Sequence, residues 1–442
     1  MSNVQRLSRR REAPPPTYLA SELAAICDVD LKTIHNWCDR REGDAAVLEH
    51  FRTAGGHLRF EHGAVLRFLT RWGYPIPDQL LQDRPHVLWV AEHAEERVAA
   101  ITALDLRRPG EVTATQPRAQ EALGLWSTDA FYLHFFDDAA VALVALGERL
   151  GAGAAPDLVV LSLPFTGIQP RGWIAAARET LGSDTFRVLL VTGGSTPEEA
   201  REEGVVGVFD RHDLASVGQR LRDEPLNAAL RNSQRGRRER VVGQEPIFVA
   251  SEVARLWGRD LKTIHAWVDD GELEAFRTPG RHLRFRKRAL LHFQRRYSHT
   301  IPPELGPARP RVMVLDPSAP DAAELAAVLA PRYEVMVRHN LVEGLAEIGV
   351  CSAGASSLDA VVVSFANHTV DPQRWLEALM RHPDTRYIRV IALGGNPFDR
   401  SRWNRLGLLA SAPREDARWV LPALEAGLGG ARAAAPAGDT SP

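Results

Sequence analysis

The chain has 442 residues, 45% of them hydrophobic and 25% charged, and a formal net charge of −2. It is too long for one core, so roughly two to four domains are expected. The charge excludes a globally basic nucleic-acid binder while leaving room for a local one. Cys27, Cys38 and Cys351 lack paired spacing, which excludes a disulfide framework or thiolate metal cage and suits a reducing cytosol.

Residues 1–16 are basic (Arg6, Arg9, Arg10, Arg11) and then Pro-rich, without the apolar run of a signal peptide. A disordered basic arm is predicted there. No later run approaches the ~18 apolar residues of a membrane span.

From Tyr18 the chain reads YLASELAAICDVDLKTIHNWCD, and from Phe248 it reads FVASEVARLWGRDLKTIHAWVD. The repeat continues through FRTAGGHLRF (Phe51–Phe60) and FRTPGRHLRF (Phe276–Phe285) to IPDQL (Ile76–Leu80) and IPPEL (Ile301–Leu305). The offset is 230 before a gap and 225 after it, so the first copy carries five extra residues near Arg41–Val47.

Each copy predicts two short helices and a hairpin. In the second, Ser251 is placed to cap the first helix and Gly258 to end it. Asp260 is placed to cap the next helix, where Leu261, Ile264, Trp267 and Val268 share one face. Lys262, Thr263 and His265 are left facing outward, with Lys32, Thr33, His35 and Asn36 as their counterparts. Two short helices around a tight turn describe a helix-turn-helix, whose second helix fits the DNA major groove. A hairpin follows at Pro279-Gly280. It is decorated by Arg277, Arg281 and Arg284, with Arg52 and Arg59 in the first copy. Arg286, Lys287 and Arg288 then open the next helix. A basic hairpin beside such a helix can reach phosphates or a minor groove.

SEVARLWGRDLKTIHAWVDDGELEAFRTPGRHLRF resembles the excisionase/MerR-type winged helix-turn-helix of bacterial DNA-binding proteins. The resemblance covers about 60 residues in each copy. It implies double-stranded DNA as partner and the residues just named as its contacts. The family's wing is T-x-GGHRRF; Leu58 and Leu283 stand where it has a basic residue.

The copies differ in charge. Residues 246–305 hold 11 Lys/Arg against 7 Asp/Glu, net +4; residues 17–82 hold 7 against 9, net −2. Phosphate neutralisation dominates DNA affinity, so the second copy is expected to bind better.

Between and after the copies lie apolar strands alternating with helical stretches, the pattern of a parallel sheet. In the first stretch, strand ends fall at Glu92, His134–Phe135, Ser162, Thr192 and Phe209. The order resembles a response-regulator receiver, a flavodoxin-like fold. A receiver's chemistry needs an acidic pair for Mg²⁺, a phosphate-accepting Asp, a Thr/Ser and a Lys. Here the pair is reduced to Glu92 in the first copy and to Asp316 in the second. Ser162 and Ser364 replace the acceptor, Thr192 and Leu393 fall at the hydroxyl position, and Asp210 at that of the Lys. No acyl phosphate is expected without the carboxylate nucleophile. A DxHxxG segment like that of cobalamin-binding light regulators is missing, so no cofactor is expected. Enzyme motifs (P-loop, GxGxxG, GxSxG, HExxH) are also absent, so no catalysis is expected.

The predicted fold class is thus multidomain α and α/β: two winged helix-turn-helix modules (17–82, 246–305) alternating with two flavodoxin-like, receiver-like parallel-sheet domains (84–224, 309–428). An Arg-rich linker (225–245) and a disordered tail (429–442) complete it. The predicted function is a cytoplasmic, nucleoid-associated bacterial transcription regulator. Its receiver-like domains would serve homodimerisation or a protein partner. The alternatives are a scaffold protein with degenerate helix-turn-helix modules and an excisionase-like recombination accessory factor.

Overall fold

The computed structural model describes residues 17–428 except 43–44, 54, 75, 77–79, 81–83, 109–122, 152–154, 183–186, 195–196, 224–245, 298–301, 303, 306–308, 354–357, 366–369, 383–384, 387, 394–407 and 413–418. The predicted arm, linker and tail lie outside the described residues.

The first unit opens with β1 (Thr17–Leu19), α1 (Ala20–Cys27) and α2 (Leu31–Asp39). β2 (Arg41–Glu42) and β3 (Ala45–Ala46) pair antiparallel, so the five extra residues build a small hairpin. β4 (Phe51–Arg52), β5 (Leu58–Glu61) and α3 (His62–Arg71) follow, and the sheet runs β1-β5-β4. Leu23, Ile34, Phe60 and Leu69 are fully buried at its centre.

The other unit holds two parallel sheets. The first is built from β6 (His86–Val90), α4 (Ala94–Ala103), β7 (Gly124–Ser127), β8 (Tyr132–Phe136), α5 (Ala139–Gly151), β9 (Leu158–Ser162), α6 (Pro170–Leu181), β10 (Val188–Thr192), β11 (Val205–Asp210) and α7 (Leu214–Asp223). Its order is β11-β10-β9-β6-β8-β7, with β7 alone antiparallel. β7 lies in the stretch that exceeds the second copy's length, and it extends the sheet edge.

β12 (Ile247–Val249), α8 (Ala250–Trp257), α9 (Leu261–Asp269), β13 (Phe276–Arg277), β14 (Leu283–Arg286) and α10 (Lys287–Arg296) come next, with sheet order β12-β14-β13. The second parallel sheet uses β15 (Arg311–Leu315), α11 (Ala319–Leu329), β16 (Glu334–Arg338), α12 (Leu341–Ala353), β17 (Ala360–Ser364), α13 (Pro372–Arg381), β18 (Arg389–Leu393), β19 (Leu408–Ala412) and α14 (Val420–Gly427). Its order is β16-β15-β17-β18-β19. Both sheets therefore have the 2-1-3-4-5 order of a flavodoxin-like fold.

Helices cover both faces of each sheet, so the inner strands are apolar throughout rather than alternating. The two-residue period still divides each strand. Leu88, Val90, Val159 and Leu161 face α5 and α6, while Val87, Trp89, Leu158 and Val160 face α4 and α7. The second sheet splits likewise, with Val312, Val314 and Val362 facing α11 and α14. Its other face, with Met313, Leu315, Val361 and Val363, joins the same core as α5 and α6.

Candidate nucleic-acid interface

α8 starts two residues earlier than the sequence suggests. Val249, not Ser251, is its N-cap, and Glu252 Oε2 accepts the Val249 N–H at 2.9 Å. The carboxylate three residues in satisfies the end that the serine was expected to cap. Gly258 closes the helix at φ 59, donating back to Ala254 and Arg255. Asp28, its counterpart, takes the same left-handed form at φ 51. The turn then delivers Asp260 to the head of α9, where its carboxylate accepts the Thr263 N–H at 2.7 Å. Asp30 accepts from Thr33 at 2.6 Å. These bonds hold both carboxyls below the ordinary aspartate range: the Thr263 N–H leads for Asp260, the Thr33 hydroxyl for Asp30.

α9 is anchored by Ile264, fully buried, with Trp267 and Val268 half-buried. Trp267 packs on Phe293 and Trp257 with ring centroids 4.7 and 5.8 Å away. The sequence also assigned Leu261 to this core, and Leu31 by analogy. The structure corrects both: they are 48% and 49% exposed. They occupy the first helical position, where the chain has only just left the cap and the side chain points past the core. The outward face of α9 thus carries Leu261, Lys262, His265 and Ala266, with Thr263 half-exposed. In the first unit the corresponding face carries Lys32, His35 and Asn36 exposed, with Thr33 half-exposed.

The hairpin turn is held from inside. Thr278 is 2% exposed, its N–H donates to His282 O at 3.0 Å, and its Oγ1 accepts the His282 N–H at 3.2 Å. Thr53 and His57 repeat this pattern at 3.0 and 3.3 Å. The His282 ring lies against Gly280, where an added Cβ would sit 3.0 Å from Cδ2. That packing gives the histidine a place in the turn.

Arg281 occupies the turn position with φ 64, where the first copy has Gly56 at φ 80. Left-handed backbone disfavours any side chain, yet an exposed arginine stands here. Arg277 is also exposed and reaches Arg281 O at 3.4 Å; Arg52 reaches Gly56 O at 3.0 Å. Arg284 and Arg59 are half-buried and donate to Leu283 O and Leu58 O, at 3.1 and 3.0 Å. Arg286 ends β14 and Lys287 begins α10, both half-buried. The side chain of Arg288 lies outside the described residues. Glu61 stands where the second copy has Arg286.

The strand ends of the first parallel sheet bring a serine, two carboxylates and two guanidinium groups together. Ser162 is 4% exposed, accepts Trp89 Nε1–H at 2.9 Å and donates to Glu96. Glu92 accepts the Thr166 N–H at 3.0 Å and faces Arg374 Nη1 at 3.5 Å. A guanidinium from the second sheet's α13 therefore sits beside Glu92, the residue that the resemblance set against a receiver's acidic pair. The cation beside the β9 end is Arg211, which donates to Leu163 O; Asp210, the residue matched by sequence order to the lysine, instead caps the turn by accepting the His212 N–H at 2.8 Å. In the second sheet, Ser364 is fully buried and its Oγ has no hydrogen-bond partner among the described residues. Asp316 caps its own turn through the Ser318 N–H at 2.8 Å. Among the described residues no group of three or more His, Cys, Asp or Glu is placed to hold a metal ion. Among them, too, no helix is long and apolar enough to cross a membrane.

Residues 250–298 match the HTH_17 helix-turn-helix domain family. No curated protein matches the chain. Among solved structures, a response regulator receiver domain protein from Clostridium thermocellum is similar at 17% identity, over 27% of this chain and 94% of that one, with a TM-score of 0.24. A response regulator from Desulfuromonas acetoxidans is similar at 16% identity, over 26% and 94%, with a TM-score of 0.23. A probable two-component system response regulator/GGDEF domain protein is 14% identical over 78% and 98%, with a TM-score of 0.24. The flavodoxin-like assignment rests on the strand order of the two parallel sheets.

Proposed function

We propose that this protein is a bacterial, cytoplasmic DNA-binding transcription regulator of MerR/excisionase-like character, with no catalytic activity of its own. In this reading the chain is an internal duplication. Its two winged helix-turn-helix modules read double-stranded DNA, and its receiver-like sheets take no phosphate. The observation that carries it is the exposed Lys262–His265 face of α9, in a segment that matches a helix-turn-helix family, together with the exposed Arg277 and Arg281 of the hairpin that follows. A cation, a hydroxyl and an imidazole at a helix N-terminal turn suit phosphates and base edges in a major groove. Arginines on a hairpin suit phosphates or a minor groove. Serines in place of both phosphoacceptors, with Arg374 beside Glu92, support sheets that no longer run phosphoryl chemistry.

Fluorescence anisotropy with duplex DNA across a salt series tests this. Binding should weaken steeply with salt, in proportion to the phosphates neutralised. Lys262→Ala and Arg284→Ala should each lower affinity. Salt-independent binding, or none at low salt, would overturn the reading. The first module's net charge of −2 favours a second reading for that module alone: a protein-binding copy that has lost DNA. An assembly that forms without DNA and survives Lys32→Ala would support it.

A further inference from the structure

The helices between the two parallel sheets are related by a constant offset of 202 residues: Val144 with Ala346, Gly147 with Gly349, Ile168 with Val370, Trp173 with Trp375. Their contacts are reciprocal. A Cβ added at Gly147 would collide with the carbonyl oxygen of Ala346, and one at Gly349 with that of Val144. Each contact is the other with its partners exchanged. Ile168 and Val370, which correspond, pair with one another in an antiparallel bridge. Trp173 donates to Ala139 O at 2.8 Å and Trp375 to Leu341 O at 3.0 Å, again at corresponding positions. Residue i meeting j while j meets i is the signature of a twofold, isologous interface. Here both faces belong to one chain, and a single apolar core runs between them from Leu143 and Trp173 to Leu345 and Trp375.

The rim breaks the symmetry, and the break favours this pairing over its alternatives. Arg381 of the second sheet's α13 reaches Asp137 of the first at 2.6 Å, and Arg374 faces Glu92 and Asp138. The positions corresponding to these two arginines in the first sheet's α6 are Glu179 and Gly172. Two first-type sheets paired in the same way would set Glu179 against Asp137, carboxylate on carboxylate. Two second-type sheets would set Arg381 against His339, the counterpart of Asp137. Carboxylate opposition disfavours the first wrong pair, the second lacks a carboxylate partner for Arg381, and opposite charge holds the right one.

We infer that the two sheets are a built-in dimer: the face that could join two chains is consumed within one, so the protein carries both helical modules as a monomer. That those modules read DNA rests on the proposed function; the pairing does not, and its test involves no DNA. A protease site is inserted between residues 225 and 245 of the full chain. Sedimentation of the uncut protein should give one chain, 48.8 kDa, across the micromolar range. After cutting, the halves should sediment together. Gly349→Leu should separate the cut halves while circular dichroism reports both still folded. Should that variant not fold, Arg381→Glu sets like charges at Asp137 without touching the core. It should weaken association of the cut halves about tenfold or more at low salt, and less at high salt as the repulsion is screened. An uncut chain that self-associates through this face would overturn the inference. So would halves that part as soon as they are cut, or an Arg381→Glu assembly as tight as the original.

Discussion

The guanidinium of Arg149 donates to His134 Nε2 at 3.1 Å and, through its other terminal nitrogen, to His86 Nδ1 at 2.7 Å. Only a neutral imidazole nitrogen can accept such a bond. Burial, with Arg149 and then His86 beside it, drives the His134 pKa well below its ordinary value of 6.5. The unfolded chain therefore takes up a proton near 6.5 while the folded one refuses it. The resulting stability is full above pH 6.5 and is lost as pH falls below it, toward the depressed folded value. Thermal denaturation should show a midpoint that drops between pH 7.5 and 5. His134→Gln should flatten that drop; an unchanged slope would refute the assignment.

Leu261 and Ile264 lie one helical turn apart and have opposite exposures. Ile264→Ala should cost about 2–4 kcal/mol, the usual range for emptying a packed aliphatic site. Leu261→Ala should leave the midpoint nearly unchanged. If Leu261 instead touches a thymine methyl, as an apolar side chain at this place can, its loss should appear in DNA affinity only. Paired denaturation and binding measurements separate the two effects.

Arg281 holds a left-handed turn position that Gly56 fills in the other copy. Arg281→Gly should relieve about 1 kcal/mol of backbone cost, seen as a small rise in melting temperature. The same change should lower DNA affinity and reduce the salt slope by about one unit if the side chain neutralises one phosphate. Stability gained with binding untouched would leave the arginine without a DNA role.

The two outward lysines test which module binds. Lys262 sits in a segment of net +4 and Lys32 in one of net −2. Lys262→Ala should weaken binding more than Lys32→Ala, measured on one duplex at one salt concentration. An equal loss would mean that both modules engage the same DNA.

Much of the local architecture was legible in the residues. Asp30 and Asp260 read as caps because a carboxylate before an apolar helical period has one low-energy use, and both accept the expected N–H. The parallel sheets were legible from short, wholly apolar strands spaced by helical stretches. Where the reading failed, the deciding factor was local backbone geometry that residue type and period do not report. Leu261 kept helical period with Ile264, yet the first position of a helix lies beyond the core that the later positions face. Ser251 had the right chemistry for a cap, but the backbone turned two residues earlier and Glu252 closed the end.

The sequence alone determined the repeated segments around DLKTIH, their unequal charge, the strand pattern and the serines, not carboxylates, at positions 162 and 364. Each is a matter of residue identity and short-range spacing. Only the tertiary structure decided that α5 and α12 meet at Gly147 and Gly349, and that Arg374 and Arg381 belong to Glu92, Asp137 and Asp138. Glycines 202 positions apart and charges 236 to 282 apart carry no mutual signal along the chain. What joins them is the apolar face that each sheet must bury, and the reciprocal fit that lets one face bury the other.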